Sequence, residues 1–106
     1  MVYSDINDVK ALISFTLDTN SVPTATNAAL IQAHAYRLIN GYIGEAKTVD
    51  DNLKAVETEL VVAQILAIHS KRPFPMRLTM EHKVILDDYQ DSEDFNTLNE
   101  LYYGYD

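Results

Sequence analysis

The chain has no cysteine and no tryptophan, only three glycines and three prolines, and eight basic residues against sixteen acidic ones. Each shortage closes off a class of function. Without cysteine there can be no disulfide scaffold, thiolate metal site or thiol nucleophile, and such a chain suits a reducing compartment. The glycines, Gly41, Gly44 and Gly104, are too few and too scattered for a phosphate-cradling loop, and no strand–turn–helix nucleophile elbow is present. No apolar run approaches the ~20 residues of a membrane span. The opening MVYSDINDVK is acidic early and lacks the cationic-then-apolar order of a secretory signal, so the expectation is a soluble protein made in a cytoplasm. A formal net charge of −8 disfavours nucleic-acid binding, because affinity for phosphate backbones comes from cations that displace counterions. A length of 106 residues fits one domain with a small stability margin.

What the chain does have is helical periodicity. A short first helix is expected from Asp5 to Ile13, capped by Ser4, with Val9, Leu12 and Ile13 as its apolar face. The polar stretch FTLDTNSVP reads as a loop. Thr24 or Thr26 then caps a long helix ending near Ile43, with Gly44 just past its end. One stripe of that helix is Ala28, Ile31, Ala35, Leu38 and Tyr42; a second is Ala29, Ala33, Tyr36 and Ile43. Asn27, His34, Arg37 and Gly41 make a narrow polar edge. Asp50 or Asp51 caps a third helix that runs to about Ser70. Its core stripe is Leu53, Val56, Leu60, Ala63 and Ala67, with an additional face of Val61, Ile65 and Ile68. Pro73 and Pro75 stop it. Thr79 caps a fourth helix with Val84, Ile85 and Tyr89 inward, and a short helix around Phe95 to Leu101 precedes an aromatic end. The expectation is therefore an all-α bundle of four to five helices over 1–90, followed by an extended acidic, Tyr-rich C-terminal arm over 91–106.

No constellation points to catalysis. His34, His69 and His82 lie on three different predicted helices with no His-x3-His or Glu-x-x-His spacing, so surface or structural roles outweigh a metal site. The acidic run DDYQDSED fails the calcium-loop template: counted from Asp88, the sixth position is Glu93 instead of glycine and the twelfth is Asn99 instead of glutamate. Adjacent acids such as Asp50–Asp51 and Asp87–Asp88 do not face one another on a helix. No enzyme, cofactor or metal is expected.

Charge is unevenly spread. Lys71, Arg72, Arg77 and Lys83 put half of the bases in one short window, and no base follows Lys83. Two readings stand. The acidic end is a solvated tail, or the subunit is dipolar, and Asp91, Glu93 and Asp94 meet Lys71, Arg72 and Arg77 of an identical neighbour in a heterologous contact that can close a ring. Phe95, Tyr102, Tyr103 and Tyr105 add interface-type rings to that end, or else fold back on their own bundle.

YSDINDVKALISFT, the Thr-rich loop and ALIQAHAYRLINGYI together resemble the head–tail connector (adaptor, or head-completion) proteins of tailed phages and related viruses. Leu30, Ile31, Ala35, Ile39, Asn40, Tyr42 and Ile43 match the family's second-helix pattern. ELVVAQILAIHS and PFPMRLTMEHKVILDDY stand where its third and last helices fall, so the likeness spans residues 3 to 90. The resemblance implies a virion structural protein assembled in the host cytoplasm into a ring, a dodecamer, at the head–tail interface below the portal. Its implied partners are copies of itself, the portal protein and a tail-side connector, with DNA passing through the channel unread and no membrane involved. The C-terminal arm would grip the portal. A different class also accounts for the charge: an acidic DNA mimic that inhibits a host nuclease or restriction enzyme. A helical regulatory or antitoxin-like partner is neither favoured nor contradicted.

Overall fold

The structure, a computed structural model, describes residues 2–44, 49–72 and 75–89. The expected arm at 91–106 lies outside these residues, together with Asp91, Glu93, Asp94, Phe95, Tyr102, Tyr103 and Tyr105. Four α-helices follow in order: α1 (Ile6–Ala11), α2 (Ala25–Ile43), α3 (Asp51–His69) and α4 (Met80–Leu86), the last running into a 3-10 turn, Asp87–Tyr89. Among the described residues there is no strand, and the chain is all-α as expected.

Helix starts are set by local hydrogen bonds. Asp5 accepts from Asn7 N, Thr24 from Asn27 N, Asp50 from Leu53 N and Thr79 from His82 N. Ser4 is therefore not the first cap; it is buried and does other work. The fourth start is reciprocal, because the backbone N–H of Thr79 donates to Nδ1 of His82. The end of α3 is a Schellman motif: Lys71 N bonds Ile68 O, Arg72 N bonds Ala67 O, and Lys71 takes a positive φ of 58°. Between α1 and α2, Asp18 organises the loop by accepting from Asn20 N and Ser21 N. The Val22–Pro23 peptide bond there is cis.

The link from Gly44 to Asp50 spans less than about 25 Å even fully extended, shorter than the ~28 Å length of α2. α3 must therefore return antiparallel to α2, and these two make the largest helix interface. α3 also touches α1 and α4, so it is covered from several sides. The core joins Val9 of α1 to Ala28, Ile31, Ala35, Ile39 and Ile43 of α2, then to Leu53, Val56, Leu60, Val61 and Ile65 of α3 and Leu86 of α4.

This changes which faces are inside. On α3 the supposed additional face is core: Val61 and Ile65 are fully buried, while Ala63 is exposed. On α2, Ile43 of the second stripe is buried, Tyr36 and Ala33 are half-buried, and only Ala29 is exposed. Much of the apolar excess read from periodicity is thus absorbed by the bundle itself. On α1, Leu12 turns outward. On α4, Val84 and Ile85 are exposed and His82 and Leu86 take the inward positions, with Tyr89 half-buried against the core. The 3-10 tightening after Leu86 shifts the register at which Tyr89 meets the core.

Candidate interaction surface

Three features stand out. The first is apolar. Met80 (78 % exposed) and Val84 (64 %) lie one turn apart on α4 with Ile85 beside them, while Leu30 (62 %) on α2 and Leu12 (61 %) after α1 stand out elsewhere. Single exposed leucines are ordinary, but a Met–Val–Ile face on a two-turn helix is bare in a single copy of the chain.

The second is a cationic groove of about 500 Å³ between α2 and the approach to α4. Arg37 and Tyr42 come from α2, Arg77 and Leu78 from the segment before α4, and Lys83 from α4 itself. Arg37, Arg77 and Lys83 are all exposed. The Lys83 ammonium sits 5.9 Å from the centre of the Tyr42 ring, within cation–π range. The Tyr42 hydroxyl donates to Asp87 Oδ1 at 2.6 Å. That bond, helped by partial burial and the Asp87 charge, pushes the phenol up to about 12. Beyond it, the Tyr89 hydroxyl donates to Asp50 Oδ1. The same carboxylate accepts from Leu53 N, and the two bonds hold Asp50 below its ordinary range.

The third is internal. Glu57 is fully buried on α3 and its Oε2 accepts the backbone N–H of Ser4, while its Oε1 has no partner. Gln32 Nε2 donates to Ser4 Oγ at 3.0 Å, closing a buried polar knot that ties the chain start to α2 and α3. Ser4, Gln32 and Glu57 are all buried.

The basic window read from the sequence is divided in space. Arg77 and Lys83 line the groove with Arg37, a residue assigned only to the polar edge of α2. Lys71 lines a different depression near Phe15, Ser21 and His69, and Arg72 is exposed beside it at the end of α3. Because α2 and α3 run antiparallel, that end lies by the start of α2, whereas the groove is in its second half. The histidines are separate too. His34 is exposed, His69 stacks on Phe15 with ring centres 3.8 Å apart, and His82 is buried. His82 accepts from Thr79 at Nδ1, so its hydrogen is on Nε2, which faces Glu59 at 2.9 Å. Among the described residues no three His, Asp or Glu side chains converge as a metal ion requires, and no helix is long and apolar enough to cross a membrane.

Comparison with protein-family models, with curated proteins and with solved structures finds no match for this chain.

Proposed function

We propose that the chain is a virion structural protein, a head–tail connector subunit that assembles with copies of itself into a ring below the portal and carries out no catalysis. The observation that carries this reading is the distribution of apolar surface. A ring subunit needs two different self-contacts, and the bundle leaves large apolar side chains bare on more than one helix, with Met80 and Val84 the most exposed of those on α4. A buried Leu, Ile or Met contributes about 1.5–3 kcal/mol, so a few such side chains per contact, repeated round a closed ring, would sustain assembly. The resemblance of residues 3 to 90 to connector proteins supplies the class.

The DNA-mimic alternative accounts for the net charge of −8. It does not account for three cations gathered in one groove, since a duplex mimic presents rows of carboxylates. Native mass spectrometry of the chain alone and with a portal protein separates the two. The connector reading expects a small species alone and a ring on the portal. A one-to-one complex with a nuclease, and no affinity for portal, sinks it.

A further inference from the structure

We propose that Asn40–Gly41 is a modification site, where the side-chain amide closes on the backbone to a succinimide and reopens as aspartate or isoaspartate. The folded end of α2 and the Tyr3 hydroxyl hold that reaction back. The chain has seven asparagines, and Asn40 is the one followed by glycine. That pairing decides where the chemistry falls. The attacking atom is the backbone nitrogen of the next residue, and glycine presents it with no β-carbon in the way. The inference goes beyond the connector reading and does not depend on it.

In the reaction the Gly41 nitrogen gives its proton to base and bonds to Asn40 Cγ. The Cγ–Nδ2 bond breaks, and the amide nitrogen takes up a proton and leaves as ammonia. Water then adds to one of the two carbonyls of the ring, and the bond from that carbonyl to the Gly41 nitrogen breaks. Cleavage at Cγ returns a normal backbone with aspartate at position 40. Cleavage at the backbone carbonyl leaves the chain running through the side chain, as isoaspartate. Nothing is oxidised or reduced, and water is the co-reactant.

The fold opposes the first step. Gly41 lies inside α2, so its N–H is committed to the carbonyl four residues back. The carbonyl of Asn40 accepts the Gly44 N–H at 2.9 Å, which closes the helix end. The side chain is held as well, because the buried Tyr3 donates its hydroxyl to Asn40 Oδ1. Further along the same turn, Ile43 is buried in the core and the Tyr42 hydroxyl is bonded to Asp87. The turn must therefore open before Cγ and the Gly41 nitrogen can meet, and such local openings are much less populated than the closed state. Packing within the chain does not ask for glycine here. A β-carbon at position 41 meets no atom within 4 Å, and alanine is the better helix former.

The test incubates the full-length chain in mildly alkaline buffer, once folded and once in urea. Chromatographic peptide mapping with mass spectrometry then separates asparagine, aspartate and isoaspartate at position 40. In urea Asn40 is expected to react fastest of the seven asparagines, and folding should slow it by about tenfold or more. Tyr3→Phe should keep its helicity by circular dichroism and react about fivefold faster than the parent when folded, the factor that one ordinary hydrogen bond represents. In urea the two should match. Gly41→Ala fills open space, keeps the fold and should all but stop the reaction in urea. Should Tyr3→Phe lose helicity, Gly44→Ala, strained at φ 73°, loosens the same helix end and is held to the same faster folded rate. Equal rates at position 40 in folded and unfolded chains overturn the proposal. So does faster reaction at another asparagine in urea, or an undiminished rate in Gly41→Ala. A folded Tyr3→Phe chain that reacts no faster than the parent also overturns it, because the hydroxyl is then idle or polarises the amide toward attack.

Discussion

Glu57 shows how a single side chain can serve the fold against its own chemistry. Burying a carboxylate costs free energy unless it is hydrogen-bonded, and here one oxygen takes the Ser4 N–H while the other has no partner. Truncation removes the acceptor, orphans a buried N–H and opens a cavity. Glu57→Ala is expected to destabilise the bundle by about 3 kcal/mol, read as a lower urea midpoint; an unchanged midpoint would show that the knot adds nothing. Asp50 supports a prediction of pH dependence. Its folded value is depressed, so the charge stabilises the fold above the ordinary value of 3.8 and that contribution is lost as pH falls through the lower folded value. Asparagine caps helices as well as aspartate does. Asp50→Asn should therefore have a lower urea midpoint than the parent at neutral pH, and the gap should close below pH 3.8.

At the scale of the helices, two ends of opposite chemistry make a matched pair. Gly44 closes α2 with φ 73°, which costs glycine nothing, whereas Lys71 closes α3 with φ 58°, which strains a side-chain-bearing residue. Lys71→Gly should raise thermal stability by about 1 kcal/mol and Gly44→Ala should lower it by a similar amount. Calorimetry on both variants checks the signs, and the same sign for both would contradict the backbone account. Helix starts were legible in the sequence for a related reason. Asp50 and Thr79 reach only three residues along the chain for their bonds, and Pro73 and Pro75 forbid continuation whatever surrounds them. Which face each helix buries was less legible. Val61 and Ile65 lie inside and Val84 outside because α3 is packed from several sides and α4 is an outer, short helix, and periodicity within one helix does not count its neighbours.

At the scale of the whole molecule, the face of α4 carries the assembly prediction. Met80→Ser with Val84→Ser alters two exposed positions. It should leave circular dichroism and the unfolding midpoint within about 0.5 kcal/mol of the parent while reducing ring formation on a portal protein, measured by native mass spectrometry. Loss of the fold itself would place α4's outer face in the bundle and not in an interface. The candidate groove was half visible beforehand. Arg77 and Lys83 belonged to the basic window, but Arg37 is forty residues from Arg77 in the chain, and no local pattern links them.

The sequence alone determined that the chain is helical, where α2, α3 and α4 start, and that strong charge asymmetry runs along it. Caps, breakers and composition are properties of neighbours in the chain, so they can be read without folding it. Only the tertiary structure decided that Lys71 and Arg72 part company with Arg77, that Arg37 joins Arg77 and Lys83, and that Glu57 is enclosed against Ser4. Those outcomes depend on the antiparallel return of α3 and on which helices cover it, and packing between distant segments obeys volume and burial, which leave no trace in local spacing.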